Sequence, residues 1–332
     1  MKKNYVDIII PVYNNYEFLA ECFESIENQT YKHLHPIIVN DCSTDSSLKL
    51  IEKYKESSKY DVTVLDNEEN MGVSYSRNEA LKETYGEFLT FLDADDVMFD
   101  DHIKTLIILL KKYKKIRIAV SGGATHLRFN PKNFKKLKVY NRNDGFCEII
   151  GGNGVEGFLW NKIFYLEDIK KYDIKFDEKI YMGEDLLFVC QLYSSLNSGL
   201  AYNPHITYYY RPNKNSALRK KQSIKGIKNK SENWLETYRS ITKAAKKSSN
   251  NFSDYIFKLL YAQYYFKINE LFYRLCKERY YQETLKLKPD LFVFFKNYFF
   301  VLMFSKFFSL KKKIRYVFFS FYNCIYVLRS KL

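Results

Sequence analysis

Residues 6–12 read VDIIIPV, a short run of β-branched side chains bounded by proline and asparagine. Such a run is typical of a strand that is buried on both faces of a parallel sheet. Downstream of it, helical and strand periodicities alternate. They predict helices that open at Asn14, Leu48 and Val73, and strands over 35–39, 62–65 and 88–92. This alternation predicts an α/β fold built on a mostly parallel, doubly wound sheet.

The pattern changes twice further along the chain. A helix after Asp101 and a strand over 116–121 complete the first half, and residues 122–155, rich in Gly, Asn and Lys, predict a long irregular loop. A helix over 186–196 and a strand ending at Arg211 follow. We therefore predict a first domain over 1–216, with one half over 1–121 and a second half over 122–216. Residues 217–332 form a helical, basic and aromatic C-terminal region.

The net charge and the aromatic content of the chain indicate which class of partner it binds. The 332 residues carry a net charge of +15, with 30 Tyr and 27 Phe concentrated, like many of the basic residues, after residue 250. A basic, aromatic tail favours an anionic surface as partner, either a membrane or a nucleic acid. Nucleic acid is disfavoured, because the basic residues are spread through apolar helices and match no recognised binding module.

Cysteine spacing and the N-terminal residues indicate the compartment. The six cysteines are scattered without a CxxC pair, which favours structural thiols in a reducing environment. The first apolar run is interrupted by Asp7 and ended by Pro11, so it does not resemble a signal peptide. We expect the catalytic part to be cytoplasmic.

Polar residues follow three predicted strands where each ends, at residues 11–14, 40–45 and 93–96. Ligands bind beyond the carboxyl ends of strands in an open parallel sheet. Within Asp93-Ala94-Asp95-Asp96, clustered carboxylates repel one another unless a cation or strong donors compensate them. A hard divalent ion, Mg²⁺ or Mn²⁺, would do so and would neutralise a diphosphate leaving group. Helix capping by Asp95 or Asp96 is the alternative.

Five ordered stretches resemble the family 2 glycosyltransferases over roughly residues 5–216: PVYNN, VNDCSTDSS, ENMGVSYSRNEAL, GEFLTFLDADD and GEDLLF. The resemblance is to bacterial enzymes that build capsule, O-antigen and other surface polysaccharides. It implies a GT-A fold, a nucleotide diphosphate sugar donor, a divalent cation, and inversion at the anomeric carbon. The chain departs from the family pattern at Asn40 and Cys42, where Asp and Gly are usual.

The resemblance implies that the domain over 1–216 is catalytic, with a nucleotide-binding half over 1–121 and an acceptor-side half over 122–216. It also assigns site roles by position. It places Asp41 against the uracil, Arg77 beside the base and Asp93 on the ribose side. The residues that it implies for the nucleotide are Pro11, Tyr13, Asn14, Asp41, Arg77, Asp93 and Ala94. For the metal it implies Asp95, with Asp93 and Asp96 as helpers, and leaves open whether Asp95 or Asp96 makes the inner-sphere contact.

Two further groups belong to catalysis and sugar binding. Inversion by single displacement needs a carboxylate that takes the proton of the attacking hydroxyl. The resemblance names Asp185 as this base, with Glu184 assisting it; a helix-capping or helix-dipole role is the alternative. Trp160, Asn161 and Lys162 resemble a sugar-binding element, although core packing would also explain Trp160. Arg211 would contact the diphosphate or close a surface ion pair.

The expected reaction moves a sugar from UDP-hexose or UDP-N-acetylhexosamine to a hydroxyl of a saccharide acceptor that is lipid-linked. A nucleotidyltransferase is the alternative enzyme, but it requires a Gly-rich loop after the first strand, and PVYNNYEF has no glycine. An inactive sugar-nucleotide-binding protein is the other alternative. Loss of Asp95 or Asp185 would be expected in such a protein, and both are present.

Residues 291–309 read LFVFFKNYFFVLMFSKFFS and precede a Lys and Arg cluster. Lys296 and Lys306 would each cost up to about 2.5 to 3.5 kcal/mol at mid-bilayer, and each Phe or Leu contributes only about 0.3 to 0.6 in return. Because these insertion free energies sum to about zero, peripheral, in-plane association with the anionic inner face of the cell membrane is favoured over a membrane-spanning helix. Packing as core or as a homo-oligomer interface is the alternative.

Overall fold

One mixed β-sheet flanked by helices organises the protein in a computed structural model that describes residues 1–124, 136–151, 154–212, 224–248, 252–277, 290, 293, 296–308 and 310–329. Among these residues the sheet has nine strands in the order β3-β2-β1-β4-β8-β6-β9-β5, with β7 paired to β9. The strands are β1 (Lys2–Val12), β2 (Leu34–Asn40), β3 (Thr63–Asp66), β4 (Gly86–Phe91), β5 (Val97–Met98), β6 (Ile118–Ala124), β7 (Lys138–Tyr140), β8 (Lys162–Tyr165) and β9 (Leu200–Tyr209).

The half of the sheet formed by β3, β2, β1 and β4 is parallel, as the alternating pattern predicted. Its crossover helices are α1 (Tyr16–Glu27), α2 (Ser47–Ser57) and α3 (Val73–Lys82). Ile8, Ile9 and Ile10 have no exposed surface, since helices cover both faces of β1. This half directs the carboxyl ends of β1, β2 and β4 to one edge.

The expectation of a mostly parallel sheet is wrong for the other half. β8 runs antiparallel to both β4 and β6, and β5 and β7 run antiparallel to β9; only β6 and β9 are parallel there. The direction of β8 follows from how the chain enters it. Ser121 N, midway along β6, donates to Asn161 O just before β8, so β8 starts beside β6 and runs back along it.

Residues 122–155 are not simply irregular. They include β7 and helix α5 (Arg142–Gly151), whose last seven residues are buried. The glycines that suggested a loop are close-packing positions, because a side chain at Gly145 would collide with the hydroxyl of Tyr193, and one at Gly151 would collide with the backbone of Phe307. Residues 125–135 and 152–153 of the predicted loop lie outside the described residues.

The remaining helices are α4 (His102–Lys112), α6 (Leu166–Lys171), α7 (Glu184–Ser195), α8 (Ile224–Lys247), α9 (Asp254–Lys277), α10 (Phe299–Phe304) and α11 (Leu310–Arg329). A short helix such as α6 was not predicted. The boundary proposed near residue 216 falls at residues outside the described part, as do positions 291, 292, 294, 295 and 309 of the aromatic segment.

Much of the aromatic C-terminal region belongs to the hydrophobic core. Leu302 and Phe307 join the same buried cluster as Phe91 of β4 and Phe188 of α7. The packing alternative is therefore realised for these side chains. Across the described residues, none of the helices combines the length and the apolar character that crossing a bilayer requires.

Candidate active site

A cleft of about 220 Å³ lies at the carboxyl edge of β1, β2 and β4. It is lined by Pro11, Val12, Tyr13, Asn15, Asp41, Val73, Ser76, Asp93, Ala94 and Asp95. Six of the residues singled out for nucleotide or metal binding are therefore brought together from three loops. Asn14, Arg77 and Asp96 are not in this lining; Asn14 is exposed, whereas Arg77 and Asp96 are buried.

Asn14 joins the loop after β1 to the loop after β2. Its φ of 52° is in the left-handed region, which Asn tolerates better than most residues. The side-chain oxygen accepts a hydrogen bond from Thr44 N at 2.7 Å, and its own backbone N–H donates to Ser43 Oγ at 3.0 Å. These bonds fix the spacing of the two loops on one side of the cleft.

Asp41 has two tasks, of which the sequence indicated one. It lines the cleft, yet it is only 4% exposed. Its carboxylate accepts hydrogen bonds from Met71 N at 2.9 Å, Gly72 N at 2.8 Å and Asn67 Nδ2 at 2.8 Å. It therefore also holds the loop that leads into α3.

The two departures from the family pattern have local explanations. Asn40 donates to Asp66 Oδ1 at 2.7 Å and so cross-links the ends of β2 and β3. Cys42 has a φ of 57°, a left-handed conformation that glycine adopts without steric cost. The backbone at this position therefore still has the shape for which glycine is the usual residue.

The three aspartates after β4 face in different directions. Asp93 and Asp95 line the cleft, whereas Asp96 is 1% exposed. Asp96 accepts hydrogen bonds from Tyr208 Oη at 2.9 Å and from Arg211 N at 2.8 Å. It ties β9 to the acidic loop and is not presented to the cleft as a metal ligand. Tyr208 lies within an apolar strand pattern, which gave no sign of this role.

The acidic loop is electrostatically suited to a cation. Burial, together with the charges of Asp93 and Asp95, raises the pKa of Asp96 to about 8. Burial also raises the pKa of Asp93 to about 6, against the attraction of Arg77 and with added repulsion from Asp185. Carboxylate oxygens under such repulsion fit a hard divalent ion. Within the described ranges, however, no three His, Cys, Asp or Glu side chains form a metal-binding cluster.

Arg77 of α3 connects the two groups of acids. Its guanidinium is bonded to Asp185 Oδ1 at 2.6 Å and Asp93 Oδ1 at 3.2 Å, and lies 3.6 Å from Glu184 Oε1. The side chain is 4% exposed, and Nε has no partner. Burial alone would lower the pKa of Arg77, but the three carboxylates raise it above its usual value. The structure places this cation beneath the acids rather than on the surface of the cleft.

Glu184 and Asp185 occupy the first turn of α7, with side chains 18% and 20% exposed. The preceding Gly183 has a φ of 79°, and no side chain caps this helix by a hydrogen bond. Simple capping therefore does not account for the pair. Burial and the neighbouring Asp185 raise the pKa of Glu184 to about 7, and Arg77 opposes the shift.

The predicted sugar-binding element is mostly internal. Lys162 has no exposed surface and donates to Val155 O and Phe158 O, both at 2.7 Å, and to Asn161 Oδ1 at 2.8 Å. Asn161 is 1% exposed. These two side chains stabilise the loop before β8 and do not reach a ligand in this conformation. Trp160 is half-buried and stacks on Tyr208 at 4.6 Å between ring centroids.

Arg211 closes an ion pair with Glu21 and donates from Nε to Asp95 O at 2.9 Å. Of the two roles considered for this residue, the structure therefore shows the ion pair. The contact joins the end of β9 to α1 and to the backbone of the acidic loop.

Helix α8 supports the turn that carries Glu184 and Asp185, which the sequence did not indicate. Asn233 Oδ1 accepts hydrogen bonds from Tyr181 N at 2.9 Å and Met182 N at 2.8 Å, and Thr237 Oγ1 donates to Met182 O at 2.7 Å. Trp234 packs so closely on Gly183 that a side chain there would collide with it. The C-terminal region thus fixes the turn that presents Glu184 and Asp185.

Comparison with known proteins finds one matching family model and several similar proteins. Residues 7–160 match the model of Glycosyl transferase family 2. Glycosyltransferase GlyA of Streptococcus pneumoniae serotype 4 is 30% identical over 230 residues, which cover 64% of this chain and 31% of that protein. The poly(ribitol-phosphate) β-N-acetylglucosaminyltransferase TarS of Staphylococcus aureus is 25% identical over 205 residues, which cover 61% of this chain and 35% of that protein. The chain thus spans about a third of the length of these two relatives.

Solved structures agree on the fold. The crystal structure of S. aureus TarS 1–349 in complex with UDP-GlcNAc has a TM-score of 0.63 at 21% identity, covering 81% of this chain and 80% of that one. Mannosyltransferase PcManGT from Pyrobaculum calidifontis, in complex with GDP-Man and Mn²⁺, has a TM-score of 0.55 at 16% identity, covering 87% and 74%. At these identities the likeness establishes the fold, which is GT-A with additional C-terminal helices.

Proposed function

From the match of residues 7–160 to the model of Glycosyl transferase family 2, we propose that the chain belongs to this family and transfers a hexose or N-acetylhexosamine from a UDP-sugar to a hydroxyl of a saccharide acceptor, with inversion. The observation that carries the proposal is the convergence of Asp185 with Asp93 on Arg77 beside the cleft. A proton-accepting carboxylate is thereby held next to the residues that would bind the donor. TarS, captured with UDP-GlcNAc, supports a UDP-sugar as donor.

In the proposed reaction, Asp185 takes the proton of the acceptor hydroxyl while the oxygen of that hydroxyl attacks the anomeric carbon of the donor sugar. The new carbon–oxygen bond forms as the bond to the diphosphate breaks, and the nucleoside diphosphate leaves with the electron pair. Arg77 orients the base, because its buried guanidinium is bonded to the Asp185 carboxylate at 2.6 Å. Glu184, whose pKa lies near neutrality, would assist in orienting the acceptor or the donor sugar.

A variant of the base tests this role. We expect Asp185→Asn to lower transfer about a hundredfold or more while UDP binding stays nearly intact, as when a positioned general base is removed. Asp173→Asn, at an exposed acid outside the cleft, is the matched control and should transfer normally. Near-normal turnover by Asp185→Asn would rule out the assignment, and retained anomeric configuration in the product would rule out single displacement.

We further propose that Asp93 and Asp95 hold a divalent cation, Mn²⁺ or Mg²⁺, which neutralises the leaving diphosphate when bound. Both side chains line the cleft. Chelation should stop transfer and either ion should restore it, and Asp95→Ala should weaken UDP-sugar binding only in buffer that contains the metal. Asp96→Asn should instead lower stability, because Asp96 bonds Tyr208 and Arg211. Full activity in excess EDTA would contradict the metal proposal.

Membrane association is proposed from an exposed apolar patch on α10 and α11. Phe300 and Phe304 are 62% and 81% exposed, and on α11 Leu310, Ile314 and Phe318 are 73%, 60% and 54% exposed. The three α11 residues are spaced four apart and share one face of the helix. Such a face favours shallow association with an anionic membrane, which would place the active site at its cytoplasmic side, beside a lipid-linked acceptor.

Removing residues 289–332 would also remove the buried Leu302 and Phe307, so point substitutions test the membrane proposal better. We expect Phe304→Ser with Ile314→Ser to reduce sedimentation with vesicles that contain phosphatidylglycerol and to leave UDP-sugar hydrolysis unchanged. If the wild-type protein does not sediment with these vesicles at low salt, the membrane proposal is wrong. The patch would then be sought in a homo-oligomer interface by analytical ultracentrifugation.

A further inference from the structure

A second cavity, of about 580 Å³, lies between α8 and α9, away from the residues of the proposed active site. We call it the α8–α9 cleft. It is lined by Tyr238, Arg239, Thr242, Lys243, Lys246, Lys247, Tyr261, Tyr264 and Tyr265. The volume is in the range of small-molecule sites, which is about 300 to 1,000 Å³. No carboxylate is among the lining residues, whereas four are cations.

The cations keep their charge available to a ligand. Arg239 donates to Tyr264 Oη at 2.9 Å and Lys246 donates to Tyr261 Oη at 3.2 Å, so hydroxyl groups orient both cations. Glu236, 3.3 Å from Arg239, is the one carboxylate that approaches these four side chains in the described part of the chain. Lys243 and Lys247 have no carboxylate within ion-pair distance among the described residues.

A purely structural role does not account for this charge. Lys246 and Lys247 lie in the last turn of α8, where the helix dipole favours cations. Arg239 and Lys243 lie before that turn and so gain little from the dipole. All four cations face one side of α8 at spacings of three, four and eight residues, and extend over about 12 Å of helix.

The opposite wall supplies aromatic faces. Tyr261 and Tyr265 lie one turn apart on α9, and Tyr265 is held by stacking on Tyr298 at 5.2 Å between ring centroids. Tyrosine presents a flat apolar face with a polar tip, which suits the face of a sugar or polyol. The row of cations on α8 and the row of tyrosines on α9 together favour a ligand that carries hydroxyl groups and several negative charges.

From this geometry we infer that the α8–α9 cleft binds a saccharide or polyol chain that carries phosphate groups, as an acceptor subsite separate from the catalytic cleft. The inference rests on the proposed function in one respect, namely that the chain bound here is the acceptor. Helix α8 connects the two places, because Asn233 and Thr237 fix the turn before Glu184 and Asp185. From Asn233 to Lys246 is about 20 Å along the helix, a span of several chain units.

The test measures binding directly, without turnover. Full-length protein is titrated into a fluorescently labelled glycerol-phosphate oligomer and into a neutral maltooligosaccharide of equal length, at low and high salt. We expect the phosphate oligomer to bind, and Lys243→Glu with Lys247→Glu to weaken its Kd about tenfold or more. The control, Lys104→Glu with Lys112→Glu on α4, makes the same change in net charge at exposed positions outside the cleft and should bind like the wild type.

A second variant tests the aromatic wall. Tyr261→Ala should weaken binding of the phosphate oligomer more than binding of inorganic phosphate, because only the oligomer has carbon–hydrogen groups that can stack on the tyrosine ring. Hydrolysis of UDP-sugar should be unchanged in both cleft variants. Absence of hydrolysis in the wild type would refute the proposed function alone, and leave this binding result standing.

Three outcomes overturn the inference. The phosphate oligomer binds all charge variants equally, or the neutral chain binds as well as the charged one. In the third outcome the oligomer fails to bind, and phosphatidylglycerol vesicles bind in a way that Lys243→Glu with Lys247→Glu abolishes. The cleft would in that case face lipid headgroups and would not be an acceptor subsite.

Discussion

Arg77→Met is the substitution with the largest expected effect. It replaces the guanidinium with an uncharged side chain of similar length and leaves Asp93, Glu184 and Asp185 without their shared cation. Removing one partner of a buried ion pair costs about 3 to 5 kcal/mol, because the remaining charge stays buried and uncompensated. Since Arg77 is 4% exposed, we expect a loss in the free energy of unfolding within that range at pH 7.5.

The loss should depend on pH with a definite sign. The pKa values of Glu184 and Asp93 are raised to about 7 and about 6, so the folded protein binds more protons than the unfolded chain above the usual carboxyl range. Glu184 and Asp93 contribute their full share to the free energy of unfolding below the pKa that they have in the unfolded chain. This contribution is lost as the pH rises through the pKa that they have in the folded protein. Without Arg77 the folded pKa values rise further, so the stability of Arg77→Met should fall more steeply between about pH 5 and pH 8.

Urea unfolding of wild type and Arg77→Met at pH 5.5 and pH 7.5 measures both the loss and its pH dependence. The same substitution at Arg117, which pairs with Glu167 and Asp168 at the surface, should cost less stability and leave the pH dependence of unfolding unchanged. Equal stability of Arg77→Met and wild type at pH 7.5, with the same pH dependence, would refute this account of Arg77.

Substitutions at three further positions test separate parts of the scaffold. Asn233→Ala should lower transfer and stability, since two backbone N–H groups before α7 lose their acceptor, and Asn233→Asp should recover most of both; equal activity of all three proteins would contradict the α8 support. Cys42→Gly should raise the free energy of unfolding by up to about 1 kcal/mol by relieving the left-handed backbone, and a lower melting temperature would argue against that strain. Burial lowers the pKa of Lys162 to about 7, so the stability of the wild type should rise from pH 7 towards pH 10, and Lys162→Met, although less stable, should lack this rise.

The catalytic scaffold was predictable where its signal is local. Strand and helix periodicities over residues 6–92 gave the parallel half of the sheet, because each element there is long enough to show its own period. The position of Asp41 and Asp93 after strands placed them at one edge, and the structure brings both to the cleft. Their roles in binding remain proposals.

Errors arose where a contact joins distant segments. Asp96 and Asp95 are adjacent in sequence, but Tyr208, 112 residues away, turns Asp96 into the interior. Lys162 is a residue type that often binds phosphate, yet the surrounding loop supplies three hydrogen-bond acceptors to its side-chain nitrogen. Nothing within either motif distinguishes an outward from an inward side chain.

The sequence by itself determined the resemblance to family 2 glycosyltransferases, the order of strands and helices in the first half, and the three loops from which the candidate site is assembled. Tertiary structure alone decided the antiparallel course of β8, the placement of Arg77 between acids 16 and 108 residues away, and the use of α8 to support the turn before Glu184 and Asp185. The physical reason is range. The periodicity of a strand or helix depends on residues that are neighbours in sequence. The charges that surround a buried side chain depend on segments that only folding brings together.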